Sequence, residues 1–313
     1  MKNGKGISYY ENGNIHYNGT WKNNQQNGVG ILYNQNNIIV YIGNFSFGIK
    51  DGEGKEYYNS GKIKYNGNFE KGYYNGFGIT YYENRNIEYN GTWIKNKKNG
   101  LATLYYESGN IKFKGEFTEA QFNRPGIFYD INENKIYDGN WYKNMKNGPG
   151  KFYYKNGNIQ YNGEWEKNKF SGTGEIYYEN GYIYYKGELF DNKRNGYGKL
   201  FGNNSYLLYD GYWNNDSFHG FGNLYSSNGC LKYEGVWNQG KKYNKGKYYD
   251  ENGRIIYDGY WLNDKFDGKG KQFYENGNIF MMDIGLMVCL MEREKFMKKM
   301  EIYFMMVIGL ITS

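Results

Sequence analysis

Several residue types that usually carry chemistry or bracing are nearly missing from this sequence. Its 313 residues include 2 Cys, 2 His and 2 Pro. Cys230 and Cys289 are too few for a disulfide framework or a zinc site, and such scarcity points to a reducing, cytoplasmic setting. Leu and Ala are scarce, which argues against a helical array. No apolar run reaches the roughly 18 to 20 residues a membrane-crossing helix needs. The opening stretch MKNGKGISYY lacks the charged-then-apolar pattern of a secretory signal. Ser is scarce, there is no GxSxG or GxxxxGKS, and no GxGxxG opens a helix. The chain is therefore expected to be no enzyme, with no cofactor, no metal and no small-molecule substrate.

What is present is one five-residue phrase, Tyr-x-Gly-x-Trp, repeated every 24 residues. Its leading aromatic falls at Tyr17, Tyr41, Tyr65, Tyr89, Phe113, Tyr137, Tyr161, Tyr185, Tyr209, Tyr233 and Tyr257. The ring four residues on includes all 7 tryptophans, Trp21, Trp93, Trp141, Trp165, Trp213, Trp237 and Trp261, with Leu189 as the one non-aromatic. A fixed period of this size is the mark of stacked repeats, which grow without adding domains. Residues 1–280 read as one array, a half repeat followed by eleven in-register copies. The start in mid-repeat, with no polar cap in view, suggests a truncated or wrongly started reading frame. His16 and His219 stand in different positions of the repeat, too far apart to share a metal, and are expected to be solvated surface residues.

Within a copy, Ile159, Tyr161, Gly163 and Trp165 alternate with Gln160, Asn162 and Glu164, the period of a half-buried strand. A loop of about six residues, Glu166 to Gly172, then leads to a second strand. The ENG of Glu179 to Gly181 is read as a two-residue hairpin turn, because Asn-Gly supplies the backbone angles it needs. The fold expected is all-β: an elongated solenoid or twisted ribbon of stacked antiparallel β-hairpins. At about 4.8 Å per strand it would rise roughly 10 Å per copy. The second strand carries a glycine pair, such as Gly148 and Gly150. Glycine weakens a strand unless something must approach closely, so the rings are expected to lie flat over both bare positions.

The phrase YxGxW followed by NGxGxxYY, as in Tyr137 to Trp141 with Asn147 to Tyr154, resembles the MORN repeat (membrane occupation and recognition nexus). The ENGN turns are similar to a bacterial, antitoxin-like variant of that repeat. The resemblance implies a non-catalytic hairpin array used for binding, with a membrane lipid or a protein as partner. An antitoxin-like or immunity role is a further reading on the same ground. Where the family often has Glu after the glycine this chain has Lys or Asn, and only His219 matches a family histidine.

Charge adds a surface. Five to nine residues after the leading aromatic lie Lys22, Lys50, Lys71, Lys95, Lys97, Lys98, Lys143, Lys146, Lys167, Lys169, Lys193, Arg194, Lys241, Lys242 and Lys265, against six acids. If these residues form an exposed loop they make a basic ridge of net charge +9 along one edge. The opposite turns hold seven Glu against four basic residues. The ridge is a candidate contact for an anionic membrane surface, which would make the protein peripheral to a membrane. Nucleic acid is disfavoured because the rings are expected to be consumed by packing. A protein partner bound along the long face of a scaffold is the first reading, and a membrane tether the alternative.

After Phe280 the phrase stops, and eight of the ten methionines follow. Read one base out of frame, Met281, Met282 and Asp283 force Asp then Gly, and their neighbours allow YDGYW, the phrase due there. Residues 281–313 are thus read as the frameshift product of two further repeats.

Overall fold

The computed structural model describes residues 1–282. Among them are 24 antiparallel strands and no helix. They fall into two compact units, residues 1–169 and residues 170 onward. In the first unit fourteen strands, from Gly4–Tyr9 to Ile159–Glu166, each pair with the next in sequence. In the second, ten strands from Lys169–Tyr177 to Ile279–Met282 do the same. The last strand runs two residues past the expected end of the array, with Met281 opposite Gln272. The frameshift reading otherwise falls on residues outside those described.

The two kinds of turn exchange the roles expected of them. Strands Lys135–Tyr142 and Met145–Tyr153, which pair with each other, leave only Lys143 and Asn144 between them, both with positive φ, 49° and 64°, and Lys167 and Asn168 have the same backbone, 48° and 70°. That is the two-residue turn whose twist suits a hairpin, not a six-residue loop. The ENG segment is the longer link: Tyr178 N–H donates to Tyr182 O at 2.8 Å, Gly181 N–H donates to Tyr178 O at 2.9 Å, and among these residues only Gly181 has positive φ.

The core is a row of rings standing on glycine. Tyr137 is fully buried. A Cβ built on Gly150 would lie 2.2 Å from its Oη, and one built on Gly139 2.7 Å. Gly150 pairs with Gly139 on one side and Gly163 on the other, so a stripe without side chains crosses the sheet beneath the tyrosines. Each tyrosine hydroxyl then donates to its own strand, Tyr137 to Asn140 O at 2.9 Å. The tryptophans stand edge-on: Tyr137 meets Trp141 at 5.0 Å and Trp165 at 5.4 Å, both near 85°. Such edge-to-face pairs contribute about 0.5–1.5 kcal/mol each beyond burial. Every indole N–H donates to the carbonyl of a stripe glycine on the preceding strand, as Trp165 Nε1 to Gly150 O at 3.1 Å and Trp21 Nε1 to Gly6 O at 3.1 Å.

Gly148 corrects the expectation of a ring over both glycines. Nothing aromatic approaches it; its added Cβ would meet only Asn140, at 3.3 Å. What it supplies is φ +84° at a bulge where Gly139↔Gly150 gives way to Trp141↔Lys146. The strand carries two extra residues there, and accommodating them needs a left-handed backbone at one point. Where glycine is absent at this point, Arg124 and Asn244 adopt the same conformation, at 57° and 55°.

Successive copies are also stapled at both edges, since a lone hairpin is not stable in water. On the ENG edge Tyr82 Oη donates to Tyr105 O at 2.8 Å and Tyr178 Oη to Phe201 O at 3.0 Å. On the hairpin edge the link is reciprocal: Asn168 N–H donates to Lys146 O at 3.0 Å, and Lys146 N–H donates to Asn168 Oδ1 at 2.8 Å.

Candidate interaction surfaces

Because the hairpin turn is short, the basic residues divide. Lys95, Lys143 and Lys167 occupy the turns, and Lys97, Lys169, Lys193 and Lys241 begin the return strands; all seven are exposed. Lys98, Lys146, Arg194 and Lys242 lie one residue further along the strand and turn inward, half-buried on the ring face. Lys50 does the same. Removing these five leaves ten exposed cations and six acids on the edge, a net +4 in place of the expected +9. All of that excess lies in the first unit, with seven cations against three acids; the second has three of each. Lys97 is also drawn to Glu119 at 3.5 Å.

The inward-turned cations belong to a pattern that a reading by charge alone passes over. Nine residues after each leading aromatic the side chains run Gln26, Lys50, Tyr74, Lys98, Phe122, Lys146, Phe170, Arg194, Phe218, Lys242, Phe266. From Lys50 onward cation and ring alternate without exception. Both do one local job, covering the buried leading aromatic of their own copy. Tyr74 stacks on Tyr65 at 3.7 Å, Phe122 on Phe113 at 3.9 Å, and Phe218 on Tyr209 at 3.8 Å. Lys50, Lys98 and Arg194 lie over Tyr41, Tyr89 and Tyr185 at 4.9, 5.2 and 6.0 Å, the arrangement in which a cation is attracted to a ring face.

On the opposite face some large apolar side chains stay open. They sit between the paired glycines or opposite that position: Val29, Phe77 and Leu101 in the first unit, Tyr197, Tyr212, Phe221 and Tyr260 in the second. Leu101 is 77% exposed and Phe221 56%. In the second unit they join across strands, through Tyr197↔Tyr212 and Phe221↔Val236, with the two tyrosine rings 5.4 Å apart. The expectation that packing consumes the rings therefore holds for the tyrosine–tryptophan row and fails here. Beside this line run ion pairs, Lys186–Glu175 at 2.9 Å, Lys199–Asp210 at 3.1 Å and Lys247–Glu234 at 3.2 Å.

The histidines are not alike. His16 packs against Tyr10 at 4.6 Å, while His219 has a buried Nδ1 without a hydrogen-bond partner, so it is not the solvated residue expected. Cys230 is a half-buried free thiol. Among the described residues no His, Cys, Asp or Glu groups converge as a metal site, and no helix is long and apolar enough to cross a membrane.

Strands of 8 and 9 residues paired in sequence order, rings on a glycine stripe and reciprocal staples between copies define a β-hairpin repeat array. The MORN repeat matches residues 17–37, 41–63, 65–87, 137–159, 161–181, 185–206, 209–231 and 257–279, and a variant of the MORN repeat matches residues 2–23 and 98–119. These matches span more than half of the chain, which belongs to the MORN repeat family. The copies outside the main pattern begin at Tyr89, Phe113 and Tyr233. They are the three that depart from the glycine pair, at Ala102, Arg124 and Asn244. No curated protein matches the chain.

Proposed function

We propose that this chain is a non-enzymatic scaffold that binds a protein partner along the sheet face opposite the packed rings. The observation that carries this reading is the open line Tyr197, Tyr212, Phe221 and Tyr260, all exposed. An apolar centre with a polar rim is the anatomy of a protein interface, and exposed aromatics are its usual anchors. The flanking lysines are neutralised by Glu175, Asp210 and Glu234, which favours a polypeptide over a polyanion such as nucleic acid. The test is affinity co-purification from the native host, comparing the wild type with Tyr212→Lys and Phe221→Lys. A partner that survives both substitutions in stoichiometric amount excludes this face.

A second reading, a peripheral membrane tether, rests on the seven exposed lysines on the hairpin edge of the first unit. Each lysine close to an anionic bilayer contributes about 1 kcal/mol, lost as salt rises. Flotation with anionic vesicles, with and without Lys95→Ser, Lys143→Ser and Lys167→Ser together, separates the two readings.

A further inference from the structure

Three of the five inward cations are neutralised by the chain itself. Glu56 Oε2 lies 2.8 Å from Lys50 Nζ, Glu88 Oε1 3.0 Å from Lys98 Nζ, and Asp216 Oδ1 2.9 Å from Arg194 Nε. Lys146 and Lys242 keep the same place, and among the described residues no carboxylate lies within ion-pair distance of either ammonium; Asp264, which accepts from the Lys242 N–H at 2.9 Å, acts on the Lys242 ammonium only from farther off. Each occupies the same box of three rings. Lys146 Nζ is 5.4, 4.1 and 4.4 Å from the centres of Tyr137, Phe152 and Trp165. Lys242 Nζ is 5.5, 4.9 and 4.9 Å from Tyr233, Tyr248 and Trp261. One position explains the difference from Lys50, because Phe152 and Tyr248 stand where the copy containing Lys50 has Glu56.

Packing does not require a cation at these points. A ring in the alternate copies covers the leading aromatic, Tyr65, Phe113 or Tyr209, equally well, at 3.7–3.9 Å. Burial works against the charge, pushing the Lys146 ammonium down to about 8 and Lys242 in the same direction. A half-buried ammonium without a carboxylate is a cost that an incoming anion removes.

We propose that Lys146 and Lys242 are two copies of one carboxylate-recognition site, each receiving an Asp or Glu side chain of a partner polypeptide where Glu56 stands beside Lys50. One internal pair shows the approach: Glu56, directly opposite Tyr41 in the sheet, brings its carboxylate to 2.8 Å from the Lys50 ammonium that lies over that ring. A phosphate carries more charge and hydration than one cation in an apolar box can replace. The site lies on the face opposite the open apolar line, and it stands or falls without it.

The probe is a fluorescently labelled glutamate-rich peptide of about ten residues, titrated against the full chain and followed by anisotropy. Lys146→Met and Lys242→Met each remove one of two independent sites and halve the peptide bound per chain at saturation, and the pair abolishes binding. Lys97→Met and Lys193→Met on the hairpin edge leave it unchanged. The double variant Phe152→Glu, Tyr248→Glu supplies each lysine with a carboxylate of its own; it also abolishes binding while raising the denaturant midpoint, which shows that the fold is intact. Peptide affinity that survives these variants, or that falls equally with the edge lysines, overturns the proposal. So does inorganic polyphosphate, or anionic vesicles, binding in preference to the peptide with the same dependence on Lys146 and Lys242.

Discussion

At the scale of the residue, the two glycines of the pair serve different physical ends, and substitution separates them. Gly150 lacks a side chain because Tyr137 fills the space, whereas Gly148 lacks one because its backbone is left-handed. Gly150→Ala should lower unfolding stability by about 1–3 kcal/mol, the range for overpacking. The native Ala102 shows how a copy adapts, since the Tyr89 hydroxyl stands 2.9 Å from the site of a Cβ on Gly91 where other copies give 2.5–2.8 Å. Gly148→Asn should cost under about 1 kcal/mol, as Asn244 already holds this conformation. Equal losses in chemical denaturation would contradict the distinction. Both glycines look alike in the sequence; only the bulge, which places one under a ring and the other beside it, tells them apart.

At the scale of the element, the hairpin turn is held by Asn168, whose Oδ1 accepts from Lys146 N–H while its own N–H donates back. Asn168→Ala removes an acceptor and strains a residue at φ 70°, so it should cost about 1–2 kcal/mol. Asn168→Gly keeps the backbone free and should cost less than half of that, in line with Gly48, Gly72 and Gly240 at the same point of their copies. Hydrogen exchange at the Lys146 amide should quicken in both variants. The period, the strands and the aromatic phrase were legible because they repeat. The tight turn was not, because Lys167-Asn168 carries no glycine at its first residue, while the conspicuous ENG takes positive φ only at its last. A loop six residues long would put Lys98, Lys146, Arg194 and Lys242 on an exposed edge, whereas the strand carries them inward over the rings. Charge says nothing of the side from which it is presented.

At the scale of the whole molecule, the row of buried tyrosines sets the response to alkali. Burial pushes Tyr89 and Tyr257 up to about 12, and Tyr41, Tyr65, Tyr137, Tyr161, Tyr185, Tyr209 and Tyr233 upward as well. The folded state then holds protons that the unfolded chain releases near 10, so their contribution is complete below pH 10 and falls as pH rises through 12. Lys146 acts oppositely over a lower window. Its folded value near 8 lies below the ordinary 10.5, so the unfolded chain binds more protons and stability rises between these two values. Denaturant midpoints should therefore climb modestly from pH 8 to 10 and then drop steeply as tyrosinate absorbance appears. Lys146→Met should flatten the climb and leave the drop.

The alternation of cation and ring along the packed face gives this array a parity. Deleting the single copy 65–88 would bring Lys50 and Lys98 to adjoining rungs roughly 10 Å apart and would remove Glu88, the partner of Lys98, leaving a half-buried ammonium unpaired at a cost of about 1–3 kcal/mol. Deleting 65–112 instead puts Lys50 beside Phe122 and keeps opposites adjacent, so the longer excision should be the milder one per copy removed in thermal melts. A tandem array of this kind is expected to be edited by inheritance in twos, with a 48-residue step as its heritable unit although the eye counts 24.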